Sequence, residues 1–358
     1  MEERYTPAIS EEERAARRAQ RAKARQQKLR ARRKRQMMTL VPAAVLAVSL
    51  VGLLTAWAAH REPAAEPEPA QIEVSVPMAA PEPEPAAPAF APQATSATVQ
   101  LGEDFPSGYA VVIDGASGDI LAAKNPDVRI SPASMTKILT LLVAAEHVED
   151  LDDTAAVTIE VTDYCYVNDC SVVGLEVGET VSIRELLYGT ILSSGADAAL
   201  TLANYVAGSH EAFVELMNEK LEELGISGTA HFTNCVGLYD ADHTCTVTDM
   251  AVILKAAMDN PLCREVLTAH TYETAPTPEH PDGQILSNWF LRKIEDHDQD
   301  SAVRAVAAKT GFVVQSGNCA ASYGENTQGD GYLCVTANAY SGWRAIYDHV
   351  ELYKTYCR

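Results

Sequence analysis

The chain has 358 residues, 47% of them apolar, and a formal net charge of −21. That much apolar surface can form a substantial core, so the composition excludes a wholly disordered chain, and the length allows two or three domains or one large domain with extensions. Beyond residue 36 the chain carries 15 basic against 44 acidic residues. A surface this acidic repels phosphate backbones, so we expect no nucleic-acid partner.

The first 59 residues have the pattern of a membrane anchor. Residues 1–36 carry thirteen basic against five acidic residues, and the 23 residues 37–59 are uncharged. As a helix, this run spans a hydrocarbon core of about 30 Å. A positive flank stays in the cytoplasm, so we predict a single-pass protein of the cell membrane with a cytoplasmic N-terminus and an external head. The alternative is a cleaved signal peptide, but the basic segment and the apolar run are both longer than the corresponding regions of a signal peptide.

A spacer separates this anchor from the head. Nine of the eighteen prolines lie between residues 61 and 98, mixed with Ala and Glu. This composition predicts a disordered, semi-rigid and extended linker over residues 60–98. The globular head is therefore expected to cover residues 99–358.

All eight cysteines lie in the head. An even number on the external side only indicates an oxidising compartment, so we expect at least two disulfides. Cys319 and Cys334 flank a predicted hairpin turn at mirrored positions, and Cys235 and Cys245 bracket a short loop; the pairs Cys165–Cys170 and Cys263–Cys357 complete the set as guesses. The sequence contains no Cys-x2-Cys pair and no histidine ligand spacing, so we expect no metal or other cofactor.

The head alternates short strands with amphipathic helices. The patterns predict strands over residues 109–114, 120–124, 305–309, 319–323 and 332–337, and helices over residues 133–147, 183–206, 211–224, 249–258 and 343–356. Strands at both ends with helices between them indicate an α+β fold, in which one antiparallel sheet packs against a helical subdomain.

Two short motifs carry nucleophilic chemistry. Ser134 and Lys137 lie three residues apart in the first turn of a predicted helix, so they are neighbours on one face, and the helix N-terminus favours a developing anion. A lysine serves as a base only when burial or another cation lowers its pKa, and Lys309-Thr310-Gly311 can supply that cation. Alone, the first motif is usually a helix cap and the second a turn; together, in this order and about 170 residues apart, they are specific.

Longer segments around these motifs resemble one family. Residues 117–137 (SGDILAAKNPDVRISPASMTK), 173–200 (VGLEVGETVSIRELLYGTILSSGADAAL), 231–251 (HFTNCVGLYDADHTCTVTDMA) and 307–324 (AAKTGFVVQSGNCAASYG) are similar to successive motifs of the D-alanyl-D-alanine carboxypeptidases, the low-molecular-mass penicillin-binding proteins. The likeness covers residues 108–340. It implies the transpeptidase head that penicillin-binding proteins share with β-lactamases.

The resemblance also implies catalytic roles. Ser134 would attack the carbonyl between two D-alanines of a peptidoglycan stem peptide and form an acyl-enzyme. Lys137 would take the Ser134 proton, and Ser194 would relay a proton towards the leaving amine. Water would then release the shortened peptide, with no metal involved, and β-lactams would act as inhibitors.

Substrate holding is assigned to the third motif by the same resemblance. Lys309 would supply positive charge, Thr310 would contact the terminal carboxylate, and Gly311 would allow close approach of the substrate backbone. The backbone N–H groups of Ser134 and Phe312 would form the oxyanion hole.

The central motif departs from the family pattern. The family has Ser-x-Asn where this chain has Ser194-Gly195-Ala196. The missing Asn side chain usually bonds the substrate amide, so Ala196 favours a catalytically weak or non-catalytic, wall-binding head as an alternative. A class A β-lactamase is a further alternative, but it needs a deacylating Glu in a loop, and the nearest candidate, Glu215 with Asn218, lies in a predicted helix.

Overall fold

The computed structural model describes residues 90–297 and 301–358. The predicted basic segment, the membrane helix over residues 37–59 and the linker up to residue 89 lie outside the described residues. Within residues 90–297 and 301–358, no helix is both long and apolar enough to cross a bilayer.

Ten strands, nine α-helices and one 3₁₀ turn make up the described part of the chain. The strands are β1 (Gln93–Gln100), β2 (Tyr109–Asp114), β3 (Asp119–Lys124), β4 (Thr154–Ala156), β5 (Thr180–Ser182), β6 (Thr271–Glu273), β7 (Ile285–Ser287), β8 (Val303–Val313), β9 (Gly317–Asn326) and β10 (Gly331–Ala339). The helices are α1 (Lys137–His147), α2 (Ile159–Val167), α3 (Ile183–Leu192), α4 (Ala196–Ala207), α5 (His210–Glu223), α6 (Val247–Asp259), α7 (Pro261–Thr268), α8 (Trp289–Ile294) and α9 (Gly342–Tyr356). The 3₁₀ turn, Ala133–Thr136, leads directly into α1.

A six-stranded sheet with the order β1-β3-β2-β10-β9-β8 forms the centre of the fold. All neighbours are antiparallel except β1 and β3, which run parallel. Side chains alternate between its two faces: Val111 and Ile113 join the larger core, whereas Ala110 and Val112 join the smaller one. The larger core contains the helices α1–α7 and the smaller one α8 and α9. The predicted α+β class is therefore confirmed.

The first strand lies where the sequence predicted linker. Residues 93–98 belong to β1, and its residues Gln93 and Ala94 pair with Asp119 and Ile120 of β3. The described head thus begins before residue 99, because polar, β-branched residues after the last proline can complete a sheet edge without burying a large side chain.

The single helix predicted over residues 183–206 is two helices. α3 ends at Leu192, α4 begins at Ala196, and between them Ser194 has a φ of +53°. The apolar periodicity continues through this break, which is why the sequence pattern did not reveal it.

The predicted disulfides are not present, since all eight cysteines are free. In the β9–β10 hairpin, Cys334 pairs with Ser322, while Cys319 pairs across the other side with Gly311 of β8. Cys319 therefore lies in the larger core and Cys334 in the smaller one, on opposite faces of the sheet. The prediction of a Cys319–Cys334 disulfide assumed that the two residues face each other across the hairpin. The hairpin pairs in a different register, so they do not.

The other three predicted pairs are also free thiols. Cys263 lies in the larger core and Cys357 in the smaller one, so the sheet separates them. Cys235 is beside Lys137, whereas Cys245 pairs through its backbone with Ile130. The thiols of Cys165 and Cys170 are hydrogen-bonded to each other but do not form a disulfide.

Candidate active site

The 3₁₀ turn presents Ser134 at the larger core's edge. Ser134 is half-buried, and its neighbours Ala133 and Met135 are fully buried. Two glycines pack closely against the turn: a Cβ on Gly237 would lie 1.9 Å from the Ala133 carbonyl oxygen, and a Cβ on Gly311 would lie 2.8 Å from the Ser134 nitrogen. Only glycine allows backbone to approach this closely, so the position of the Ser134 backbone depends on both.

Lys137 is placed to act as a base toward Ser134. Its Nζ donates to Ser134 Oγ at 3.2 Å and to the Val236 carbonyl oxygen at 2.6 Å. The side chain is 2% exposed, and burial lowers the pKa of Lys137 to about 8. With that pKa, about one lysine in ten is neutral at pH 7 and able to accept a proton.

A second lysine and a second serine form a matching pair. Lys309 Nζ on β8 donates to Ser194 Oγ at 2.9 Å and to the Thr310 carbonyl oxygen at 2.8 Å. Lys309 is buried, and its pKa is lowered well below the usual range, first by burial and then by the charge of Lys137. The positive charge of Lys137 therefore makes protonation of Lys309 less favourable.

Ser194 has a strained backbone. A non-glycine residue with a φ of +53° is in the left-handed region, which costs about 1–3 kcal/mol when the surroundings enforce it. The Ser194 hydroxyl reaches Lys309 from this conformation. Such strain at a hydroxyl bonded to a buried lysine is typical of a functional site.

The third motif lies on an open edge of the sheet. β8 pairs with β9 on one side, and no described strand pairs with its other side. Thr310 is half-buried, and Phe312 is 61% exposed and pairs with Asn318. A free strand edge can bind an extended peptide by adding it as a further strand.

A wide groove begins where this strand ends. It has a volume of about 1310 Å³, with residues 312–315 on one wall and α5 on another. Its acidic lining side chains are Asp169, Glu211, Glu215, Glu219, Glu222 and Asp240. The groove therefore adjoins the site at Phe312 and has a largely acidic lining.

A loop that the sequence did not assign supports both the nucleophile and the base. The Asn234 side-chain oxygen accepts from the backbone N–H groups of Val236, Gly237 and Leu238, at 3.2, 2.7 and 3.0 Å. These bonds fix the Val236 carbonyl against Lys137. The signal available in the sequence was Asn followed three residues later by Gly, a pattern typical of a tight turn.

A buried histidine hydrogen-bonds the 3₁₀ turn that carries Ser134. His243 lies 2.8 Å from Thr136 Oγ1 through Nε2, and its Nδ1 accepts from the Thr233 N–H at 3.0 Å. Burial lowers the pKa of His243 to about 4, so the ring is neutral and donates from Nε2 to Thr136. Nothing in the sequence marked this histidine as part of the site.

The site brings together every residue that the sequence assigned to it. Ser134 bonds Lys137 and Ser194 bonds Lys309, while Gly311, which lies between Thr310 and Phe312 on β8, packs against the Ser134 nitrogen. Ala196 is 1% exposed, and its backbone N–H donates to the Ser171 carbonyl oxygen at 2.8 Å. Its methyl group offers neither a donor nor an acceptor to substrate or to Lys137.

Solved structures share this fold. The crystal structure of a D-alanyl-D-alanine carboxypeptidase from Mycobacterium tuberculosis is 25% identical, has a TM-score of 0.61, and covers 72% of this chain and 94% of that chain. A mutant of a Streptomyces DD-transpeptidase is 25% identical, has a TM-score of 0.63, and covers 69% of this chain and 96% of that chain. The fold and the two Ser–Lys pairs define the class of protein as one with an active-site serine on a DD-peptidase scaffold.

Sequence comparison identifies the family within that class. The profile described as D-alanyl-D-alanine carboxypeptidase, serine peptidase family S11, matches residues 93–334. DacF of Bacillus subtilis is 35% identical over 167 residues, 47% of this chain and 42% of that protein. DacB2 of Mycobacterium tuberculosis is 34% identical over 211 residues, 58% of this chain and 67% of that protein. The chain belongs to the D-alanyl-D-alanine carboxypeptidase family.

These matches cover only part of some relatives. The chain spans 42% of the length of DacF and 43% of the length of DacC of Escherichia coli, two D-alanyl-D-alanine carboxypeptidases.

Proposed function

We propose that this protein is a penicillin-sensitive serine D-Ala-D-Ala carboxypeptidase that removes the terminal D-alanine from peptidoglycan stem peptides. The observation that carries the proposal is the 3.2 Å contact between Ser134 Oγ and Lys137 Nζ. A serine hydroxyl is a weak nucleophile unless an adjacent base takes its proton, and a buried lysine with a pKa of about 8 is such a base. Family membership favours the D-Ala-D-Ala bond as the target.

Acylation begins at Ser134. As its Oγ forms a bond to the carbonyl carbon, the Oγ proton passes to Lys137 Nζ. The C–N bond to the terminal D-alanine then breaks, and the leaving nitrogen takes a proton relayed through Ser194. Water attacks the resulting ester, which releases the shortened peptide and restores the Ser134 hydroxyl. The Ser134 and Phe312 backbone N–H groups stabilise the oxyanion in both steps.

The substrate lies along the open edge of β8. Its terminal carboxylate meets the positive charge of Lys309 and the hydroxyl of Thr310, while Gly311 leaves room for the peptide backbone. The upstream part of the stem peptide passes Phe312 and enters the acidic groove beside α5. This placement uses main-chain hydrogen bonds for affinity and the groove for upstream side chains.

Labelling and product release test the proposal on the full chain. Fluorescent penicillin should acylate Ser134, and a peptide ending in D-Ala-D-Ala should release D-alanine. Ser134→Ala should abolish both. Ser131→Ala is the control, since the Ser131 hydroxyl is buried without a hydrogen-bond partner in the described structure, and it should keep both. Labelling of Ser134→Ala, or labelling of the natural protein without any D-alanine release, would contradict the assignment.

The alternatives predict other outcomes of the same assay. A class A β-lactamase would hydrolyse the penicillin label quickly; its candidate Glu215 is exposed on α5, and Asn218 bonds the carbonyl oxygens of Val214 and Phe232 at 2.9 and 2.8 Å as a structural residue. A non-catalytic wall-binding head would bind peptidoglycan and release no D-alanine. Ala196 is the observation that favours it.

The location is part of the proposal. An uncharged run over residues 37–59 behind a basic segment supports a single-pass anchor with the head outside the cell, and residues 60–89 would serve as a spacer. Protease added to intact cells should digest the head and spare residues 1–35. A mature protein that begins near residue 60 would show a cleaved signal peptide instead.

A further inference from the structure

Asp197 is a buried carboxylate for which the reaction has no use. It is the second residue of α4 and is 2% exposed. Its Oδ1 accepts from the Val173 N–H at 2.9 Å, and its Oδ2 accepts from the N–H groups of Gly174 and Leu175 at 2.8 and 3.0 Å. A single side chain thus ties down three successive backbone donors of a loop that is otherwise half-buried or exposed.

That loop, residues 171–175, lies directly on the segment after Ser194. The Ser171 carbonyl oxygen accepts from the Ala196 N–H at 2.8 Å. A Cβ on Gly195 would lie 2.6 Å from Val173 Cγ2, so the Val173 side chain rests on the Gly195 backbone. The loop therefore contacts both residues that follow Ser194.

From the other side, α3 fixes the same segment. The Gly195 N–H donates to the Gly189 carbonyl oxygen at 3.0 Å. Ser194 is left-handed, and a non-glycine residue keeps that conformation only where its surroundings enforce it. The loop over residues 171–175 and helix α3 provide these surroundings. The Asp197 carboxylate holds the loop in place on α4.

We infer that Asp197 is a positioning residue: through the loop over residues 171–175 it holds Ser194 in the left-handed conformation in which Ser194 Oγ meets Lys309. The inference rests on the proposed carboxypeptidase reaction, in which Ser194 relays a proton. Asp197 touches neither substrate nor reacting atoms. Its effect belongs to the chemical step, because the groups that hold the substrate lie on β8.

The variant Asp197→Asn tests the positioning role, because an amide side chain has almost the same size as a carboxylate. The amide replaces one acceptor oxygen by an NH₂ group that faces backbone donors, so the loop loses at least one of its bonds. In the full chain we expect kcat for D-alanine release to fall tenfold to a hundredfold, as does the penicillin acylation rate constant at saturation, while KM stays within about twofold, as expected for an interaction needed only in the transition state.

Asp249→Asn is a matched control. Asp249 is also buried at 4% exposure in the first turn of a helix, and its carboxylate accepts from the Thr246 N–H at 2.7 Å and the Thr229 hydroxyl at 2.8 Å. It has no contact with Ser194. Both variants should lose thermal stability, but only Asp197→Asn should lose kcat per folded molecule. Equal kcat in the two variants would overturn the inference.

Val173→Ala gives a second, milder test if Asp197→Asn does not fold. It keeps the carboxylate bonded and removes both methyl groups of Val173, of which Cγ2 rests on Gly195. We expect kcat to fall severalfold with KM unchanged, and full kcat in this variant would overturn the inference. A natural protein without D-alanine release or acylation would instead reject the proposed function, so the two failures are distinguishable.

Discussion

The Lys137 amine has two hydrogen-bond partners, and its side chain is 2% exposed. Because burial lowers its pKa to about 8, we predict that the penicillin acylation rate rises with pH, is half-maximal near pH 8 and levels off about one pH unit higher. The charged or ionisable groups around it are Lys309, Asp197, Cys165, Cys170 and Cys235. Stopped-flow acylation between pH 5.5 and 9.5 measures the profile. A rate independent of pH over this range would show that Lys137 is not the base.

Removing the Lys137 amine should lower the acylation rate more than a change of pH does. Lys137→Ala should lower acylation by about 10²-fold or more, in line with the usual contribution of a general base. The variant should remain folded, because loss of a desolvated amine also removes its burial cost. Circular dichroism and labelling on the same sample separate the two effects.

Ala196 stands where the resemblance to the family implies an Asn that bonds the substrate amide. An Asn amide could accept from the third Lys137 N–H and bond the substrate, which is typically worth about 0.5–1.5 kcal/mol, up to about 3 if a buried group is otherwise unpaired. Ala196→Asn should therefore raise peptide turnover about tenfold, at about 1.4 kcal/mol per decade of rate. Ala196→Val adds bulk without the amide and should give no gain. If the natural protein and Ala196→Asn both release no D-alanine, the non-catalytic alternative is correct.

Between elements, the approach of the residue 234–238 loop to the nucleophile turn depends on Gly237. This residue has a φ of +81°, and a Cβ would lie 1.9 Å from the Ala133 carbonyl oxygen. Gly237→Ala should displace Ala133 and Ser134 and lower acylation at least a hundredfold, because nucleophile placement tolerates little error. Gly208→Ala is the control: Gly208 has a φ of +78° and nothing within 4 Å of the added Cβ. It should cost about 1 kcal/mol of stability and leave acylation intact.

The sequence predicted the elements whose signals are local. The strand Tyr109–Asp114 alternates faces and has the expected bounds, and the Ser134–Lys137 spacing placed both groups on adjoining turns. The break at Ser194 was missed because the segment after it bonds the Ser171 carbonyl oxygen, which lies about twenty residues earlier in the chain. The role of Gly237 was missed for the same reason. Gly237 matters because its backbone packs against Ala133, which lies about a hundred residues away in the chain. Long-range contacts of this kind leave no local pattern.

Across the whole molecule, buried neutral histidines set the response to acid. His349 is fully buried between Ser322 Oγ, 2.7 Å from Nδ1, and Thr336 Oγ1, 3.1 Å from Nε2, and burial lowers its pKa to about 3. The unfolded chain, with a histidine pKa of about 6.5, takes up this proton first. Stability from this group is therefore complete above pH 6.5 and is lost as the pH falls toward 3, by about 3 kcal/mol at pH 4.5.

Urea unfolding of the full chain between pH 8 and pH 4.5 measures this loss. His243, with a pKa lowered to about 4, adds to it with the same sign. His349→Gln should lower stability at pH 8 and flatten the dependence, because the titrating group is gone. An unchanged slope in His349→Gln would show that other groups cause the acid response.

The order of the central sheet also separates mechanical load from chemistry. β1 and β8 are its two outer strands, with β3, β2, β10 and β9 between them. Tension arriving along the chain before residue 90 reaches β1 first, where it is resisted by the parallel pairing with β3. Three further strands, β2, β10 and β9, lie between the β1–β3 pair and the lysine and glycine of β8. If residues 37–59 anchor the chain as proposed, a pull from them would load β1 before the catalytic strand β8.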